Sequence, residues 1–201
     1  LTTNRILVTW FDRDTPAYWA VVLSISGVGI TVGTPVQIAS GAAGDGVSSL
    51  AILDSGRAIY AYKNDSAVGK LVIISVSDTT ITIGTAVTTT SISNMVIKVD
   101  TDKCVVLAGV GKALVVSVTG TTVNAPGAEL TYDTDSSTVV SGATLDSTHV
   151  IVAYRGASSG YGRAMTLLVG ATTLTAPSAA VIFESNSSTS IAVTAMSASL
   201  A

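Results

Sequence analysis

Residues 53–62 of the 201-residue chain read LDSGRAIYAY, which describes a strand end, a tight polar turn and the beginning of a second strand. The same pattern recurs at residues 145–154 (LDSTHVIVAY), 99–108 (VDTDKCVVLA) and 1–10 (LTTNRILVTW). Each copy passes through Asp, Ser, Thr, Asn or Gly into a stretch of apolar, mostly β-branched residues. The sequence therefore predicts four equivalent hairpins.

A second apolar unit follows each hairpin, at residues 21–26, 71–76, 113–118 and 164–169. Each unit leads into a short turn rich in Gly, Ser, Asp and Thr and then into a last strand. No window has the 3.6-residue apolar period of an amphipathic helix, so we predict no helix anywhere.

The spacing of the repeats indicates the architecture. The steps between Leu1, Leu53, Val99, Leu145 and Met196 are 52, 46, 46 and 51 residues. Four strands in ~46–52 residues are typical of a β-propeller blade, whereas one coil of a β-solenoid takes about 20–29 residues. We therefore expect one all-β propeller domain of four-stranded antiparallel blades over residues 1–201, with repeats at about 1–52, 53–98, 99–144 and 145–195.

The two ends of the chain suggest how the blades close. Residues 191–196 (IAVTAM) read as an innermost strand, and we expect them to pair with residues 6–10 and close a four-bladed ring. The alternative is four consecutive blades of a larger ring or longer array. The chain begins at Leu1 without Met or a signal-like segment, so we expect upstream sequence to be missing.

Composition excludes several classes of protein. Charged residues make up 11% of the chain, the formal net charge is −3, and 28 Thr and 25 Ser are present. There is no basic run, so nucleic acid is not an expected partner. No stretch approaches the ~18 apolar residues of a membrane span, so membrane insertion is not expected.

The sequence carries no enzyme signature. Cys104, the single cysteine, stands in an apolar run, which excludes an internal disulfide and favours a buried strand thiol. His149, the single histidine, has no Ser or Cys elbow motif with it. With no phosphate loop and no histidine pair either, we expect no catalytic activity and no cofactor.

Loop lengths indicate where binding would occur. The turns at 54–56 and 146–148 are short and similar, whereas the loops at the opposite end of the sheets differ in every repeat. Variable loops on a rigid scaffold commonly bind ligands. Aromatic rings there would stack on sugars while Asp and Asn bond sugar hydroxyls, so the candidate contact residues are Asp12, Asp14, Tyr18, Trp19, Asn64, Asp65, Arg155 and Tyr161.

Two further groups have alternative interpretations. Trp10, Tyr62 and Tyr154 occupy equivalent positions, and we expect them to pack between blades rather than bind a ligand. Asp133 and Asp135 are weak candidates for a cation site, because the third acid, the glycine and the distal Glu of a calcium loop are missing.

The chain resembles the Ser/Thr-rich β-propeller repeats of phage and virus structural proteins and bacterial surface proteins. Residues 53–55 with 61–62, and 145–147 with 153–154, carry the resemblance. It implies a tail-fibre, decoration or cell-surface module, on a virion or outside a cell, that makes protein and receptor contacts. The alternative is a lectin-like propeller that binds glycans, although the loops differ and the third is only residues 109–111.

Overall fold

The computed structural model describes residues 4–40, 48–89, 91, 93–108, 111–135 and 140–195, without the side chains of residues 93 and 94. These ranges contain nineteen strands and no helix, in agreement with the prediction from periodicity. Accordingly, no helix in the described ranges is long and apolar enough to cross a membrane.

The strands form four antiparallel sheets, as many as the sequence has repeats, but residues 48–52, 93–98 and 140–144 each pair with the repeat that follows the one to which the sequence assigns them. Sheet 1 contains β1 (Arg5–Asp12), β2 (Ala17–Ser26), β3 (Gly29–Val32) and β4 (Val36–Ser40). Sheet 2 contains β5 (Ser48–Ile52), β6 (Arg57–Lys63), β7 (Gly69–Ser77), β8 (Thr80–Ile83) and β9 (Val87–Thr88). Sheet 3 contains β10 (Ser93–Asp100), β11 (Lys103–Ala108), β12 (Lys112–Thr119), β13 (Thr122–Val123) and β14 (Leu130–Thr131). Sheet 4 contains β15 (Val140–Thr144), β16 (His149–Arg155), β17 (Gly162–Val169), β18 (Leu174–Thr175) and β19 (Val181–Glu184).

The outer strand of every sheet is split into two pieces that pair with the same neighbour. In sheet 2, β8 pairs with one end of β7 and β9 with the other. The interruptions contain Gly or Pro, as at residues 33–35 and 84–86, which weaken a continuous ladder. The backbone nevertheless stays attached there, since the N–H of Gly33 and of Gly84 bonds a carbonyl of the neighbouring strand.

The hydrophobic core consists of three clusters, one between each pair of consecutive sheets. Tyr18 and Tyr60 belong to the cluster between sheets 1 and 2. Leu71 and Leu114 belong to the cluster between sheets 2 and 3, and Leu107 with Leu167 to the cluster between sheets 3 and 4. The central strands β6, β7, β11 and β12 are therefore buried on both faces, which explains their continuous apolar runs.

The two ends of the sheets differ in character. The turn end, as we call it, carries the turns at residues 53–56, 101–102 and 145–148 and the turns at 78–79 and 120–121. The loop end carries the β1–β2, β6–β7 and β16–β17 connections and the links between sheets. The connections lie at the predicted ends, but of these three loops only the β6–β7 and β16–β17 loops are longer than the turns at 53–56 and 145–148, because the β1–β2 connection spans just residues 13–16.

Residues 191–195 do not form the strand that the sequence predicts. They are irregular and pair with no strand in the described part of the chain, while Met196 lies outside it. Instead, the N–H of Val193 bonds Oγ of Ser141 in β15 at 3.0 Å. The described residues therefore contain four stacked sheets without strand pairing between sheet 4 and sheet 1.

Candidate functional site

The first loop-end turn is held by its own carboxylate. Asp12 accepts hydrogen bonds from the backbone N–H of Asp14 at 3.0 Å and from the Thr15 hydroxyl at 2.6 Å. These bonds, that of the Thr15 hydroxyl above all, hold the pKa of Asp12 below its usual value. Asp12 is thus committed to shaping the turn, while Asp14 is exposed beside it.

The predicted loop positions of Tyr18 and Trp19 are wrong, because both residues lie in β2. Tyr18 is fully buried and packs against Phe11, Tyr60 and Tyr62. The local turn at residues 13–16 is so short that β2 begins at Ala17. Tyr18 is therefore a core residue that no ligand can reach in this structure.

Trp19 instead pairs with Trp10 across the β1–β2 ladder, and their rings stack with centroids 6.4 Å apart. Trp10 is exposed and Trp19 is half-buried. The expected burial of Trp10 between two sheets is therefore wrong, whereas Tyr62 and Tyr154 are buried between sheets as predicted. The tryptophans form an aromatic patch on the face of sheet 1 that points away from sheet 2.

The β6–β7 loop is also stabilised by hydrogen bonds between its own residues. Asn64 accepts a hydrogen bond from the N–H of Val68 at 2.8 Å, and Asp65 accepts one from the N–H of Ser66 at 2.9 Å. Ala67 has a φ of 59°, in the left-handed region. Asn64 and Asp65 stand on the expected loop, but their described bonds stabilise the loop conformation.

Asp133 and Asp135 form the densest charged cluster of the described loop end, together with an arginine that no sequence motif marks. Arg163 of β17 reaches Asp133 at 3.1 Å and Asp135 at 3.4 Å. Asp135 also accepts hydrogen bonds from the hydroxyl of Ser158 at 2.6 Å and from its N–H at 2.7 Å. These two bonds hold the pKa of Asp135 below its usual value.

This cluster fastens sheet 3 to the β16–β17 loop of sheet 4 and does not favour a bound cation. The guanidinium of Arg163 already pairs with both carboxylates, and a metal ion would have to displace it. Elsewhere in the described ranges, no three His, Cys, Asp or Glu side chains come together as a metal site requires.

Arg155 and Tyr161 stand at the two ends of the β16–β17 loop, and both are half-buried. The carbonyl of Tyr161 accepts the N–H of Gly156 at 2.9 Å, and its own N–H bonds Oγ of Ser159 at 3.2 Å. The loop thus has a defined shape beside the Arg163 cluster. A contact role for Tyr161 stays a prediction.

At the turn end the polar residues join sheets. Arg57 bonds Asp54 in its own turn at 2.7 Å and reaches Asp102 at 2.9 Å and the carbonyl of Gly120 at 2.8 Å in sheet 3. Arg5 makes the corresponding bonds from sheet 1 to Asp78 of sheet 2. These groups are structural ties between consecutive sheets.

Three groups of the described chain that could take part in acid–base or nucleophilic chemistry are the thiol of Cys104, the phenol of Tyr60 and the imidazole of His149. Cys104 is fully buried, as predicted, and burial raises the pKa of its thiol to about 12. Burial likewise raises the pKa of Tyr60 to about 12. His149 is paired with Asp146 at 2.9 Å on the turn end. The hydroxyl of the adjacent Thr148 lies 3.0 Å from Nδ1 of His149.

A cavity of about 420 Å³ lies on the face of sheet 4 that points away from sheet 3. Its walls are mostly apolar, formed by Ile151, Ala153, Ala164, Phe183 and the segment 191–193, with Glu184 and two serines at its edge. Glu184 is occupied with the N–H and side chain of Asn186. The cavity is therefore a recess in an apolar sheet face rather than a polar binding pocket.

No protein-family model matches the sequence, and no curated protein matches it either.

Proposed function

We propose that the four sheets are blades of a β-propeller and that this chain is a non-enzymatic structural and interaction module of a virion or cell surface. The observation that carries the proposal is the distribution of polar and apolar groups. The two densest groups of charged residues, around Arg57 at the turn end and around Arg163 at the loop end, fasten turns and neighbouring sheets. Most of the accessible large apolar side chains lie instead on sheets 1 and 4 or their turns.

The exposed apolar residues support the part of this proposal that assigns the chain a role in protein–protein contact. Eleven large hydrophobic residues are exposed in the described ranges, and Ile52 is the only one of them outside sheets 1 and 4 and their turns. The other ten are Ile6, Trp10, Val28, Ile30, Val32, Leu145, Leu168, Val181, Ile182 and Phe183. Exposed apolar patches of this kind favour protein–protein contact over catalysis.

The alternative function is carbohydrate binding at the β16–β17 loop. The half-buried ring of Tyr161 lies on the loop that contains Ser158, and this loop adjoins the Arg163 cluster. An aromatic ring beside hydrogen-bonding groups suits a sugar. The described β6–β7 loop has no aromatic residue, so a repeated sugar site with avidity is not favoured.

A glycan array separates the two functions. The labelled protein should bind no glycan above the level of a Y161A variant, with V28A at the turn end as the matched control. Glycan binding that Y161A loses and V28A keeps would overturn the structural proposal in favour of the lectin.

Antibodies against the chain should also label the surface of intact virions or cells of the source, and labelling confined to the interior would contradict the proposal.

A further inference from the structure

Every internal interface between sheets uses the same two faces. The front face of a sheet, as we call it, packs on the following sheet, and the back face packs on the preceding one. The back face of sheet 1 and the front face of sheet 4 have no neighbouring sheet in the described structure. The back face of sheet 1 and the front face of sheet 4 thus correspond to the two kinds of face that meet at each internal interface.

The back face of sheet 1 carries interface residues that are exposed. Ile6 is the second residue of β1, and the second residues of β6, β11 and β16 are Ala58, Cys104 and Val150. Those three are at most 1% exposed, whereas Ile6 is 47% exposed. Trp10 repeats this pattern. It is 37% exposed, while the equivalent residues of the other three sheets are buried.

The front face of sheet 4 shows the matching pattern. Val36, Val87 and Leu130 occupy one position of the outer strand in sheets 1, 2 and 3, and each packs into the cluster shared with the next sheet. Val181 holds that position in sheet 4 and is 68% exposed. Phe183, beside it, is 56% exposed and lines the cavity.

The segment 191–195 stands where the first strand of a following sheet would stand. The N–H of Val96 in β10 bonds Oγ of Ser49 in β5 at 3.0 Å. The N–H of Val193 makes the same bond to Ser141, the residue of β15 that corresponds to Ser49. Residues 191–195 therefore lie beside sheet 4 as β10 lies beside sheet 2.

We propose that the front face of sheet 4 binds the back face of sheet 1 of a second copy of this chain. The segment 191–195 would then pair with the edge of β1 that no described residue covers, as β10 pairs with β11. The partner is a second copy, because the two uncovered faces of this chain correspond to the front and back faces that pack on each other at the three internal interfaces. The described chain does not bring its own sheets 1 and 4 together by strand pairing.

The register of this pairing follows from the repeat. Val96 pairs with Val106 in sheet 3, and Val8 holds the position of Val106 in β1. Val193 of one copy should therefore lie opposite Val8 of the next. Because the two surfaces are different, the contact is heterologous and generates a closed ring or an open filament rather than an isologous dimer.

Cross-linking tests this register directly. Directly opposed strand residues lie within disulfide reach. Mixing V8C and V193C variants under mild oxidation should therefore give a disulfide between two chains, while either variant alone should not cross-link. A mixture of I52C and V193C is the matched control and should stay uncross-linked. Absence of the V8C–V193C cross-link, or an equal yield in the control, overturns the proposal.

Charged substitutions give an independent test. W10E blocks the back face of sheet 1 and F183E the front face of sheet 4, and each should weaken self-association by about tenfold or more. An equimolar mixture should recover a two-chain complex, because each variant retains one intact half. The I52E control should associate like the wild type. Failure of the two variants to complement each other contradicts a heterologous contact.

The wild-type chain decides the question if the variants do not fold. Sedimentation velocity should show a mass that increases with protein concentration. A monomer at all concentrations overturns the proposal. A V8C/V193C double variant that forms its disulfide within one chain at high dilution also overturns it, in favour of ring closure by the chain itself. Neither result depends on what the assembled sheets bind.

Discussion

Asp54, Asp100 and Asp146 occupy the same position in three successive hairpins. Each accepts a hydrogen bond from the backbone N–H two residues ahead, at 2.7–2.8 Å. This side-chain bond mimics a backbone turn bond and explains how the same turn forms although the two residues after the Asp differ. The recurring Asp is therefore a residue-level determinant of the fold.

The carboxylate of Asp146 should make the free energy of unfolding depend on pH in the acidic range. Bonds from the N–H and hydroxyl of Thr148 and from His149 lower the pKa of Asp146 from 3.8 to about 2. A carboxyl whose pKa is lower in the folded state contributes stability above its unfolded pKa and loses it as pH falls. Between about pH 4 and pH 2, the wild type should therefore lose more stability than D146N, as measured by urea unfolding at each pH.

A second variant controls for general acid effects. T148A removes the hydroxyl donor but keeps the backbone N–H, so it should retain part of the wild-type dependence. Identical pH profiles for the wild type and D146N would show that this carboxylate does not stabilise the fold.

At the level of elements, two devices hold consecutive sheets together. Arg5 is the first residue of β1 and Arg57 the first residue of β6, and the side chain of each reaches a turn of the next sheet. Close to these ties, Gly84 and Gly127 approach the carbonyls of Thr121 and Thr172 in the following sheet. The sheets are thus in register at the turn end through both charge and shape.

Removal of the Arg57 tie should destabilise the chain. R57M loses bonds to Asp54, Asp102 and Gly120 at once, and we expect a cost of about 1–3 kcal/mol in the free energy of unfolding. Lysine cannot reproduce the forked geometry, so R57K should recover little. Arg13, exposed in the β1–β2 turn, supplies the control, and R13M should change stability by less than about 0.5 kcal/mol. Equal effects of R57M and R13M in denaturant unfolding would refute the tie.

The close approach at Gly84 gives a separate expectation. A Cβ there would lie 2.6 Å from the carbonyl oxygen of Thr121, so G84A must push sheets 2 and 3 apart and should cost about 1–3 kcal/mol. At Gly56 the nearest atom would be 3.4 Å away, an ordinary contact, so G56A is the matched control. Thermal unfolding that ranks G56A as the more damaging variant would contradict this packing.

The sequence predicts the elements better than it predicts their surroundings. The turn motif and the spacing of 46 residues locate β6, β11 and β16, because local hydrogen bonds and β-branched residues determine them. The polar stretch after Phe11 predicts a long loop that includes Tyr18, but the turn capped by Asp12 is shorter and Tyr18 lies in β2. The repeat pattern predicts the position of Trp10 in its strand, but the exposure of Trp10 depends on whether a neighbouring sheet covers it, which the pattern does not contain.

On the scale of the whole molecule, the stack consists of three equivalent interfaces and two uncovered halves. Each internal interface buries a cluster of mostly aliphatic and aromatic side chains. Uncovered sheet faces and edges are liabilities in stacked repeat proteins, which cover or cap them. The two ends of the stack therefore differ, with the back face of sheet 1 uncovered at one end and the front face of sheet 4 at the other.

Intrinsic tryptophan fluorescence measures the uncovered half directly, because Trp10 and Trp19 are the only tryptophans in the chain and both belong to the patch on sheet 1. Acrylamide quenching should be efficient in dilute solution. It should decrease, with a shift of the emission to shorter wavelength, as concentration rises and sheet 4 of another copy covers the patch. Quenching and emission that stay the same at every concentration, with the patch accessible throughout, would contradict the claim that sheets 1 and 4 are two halves of one interface.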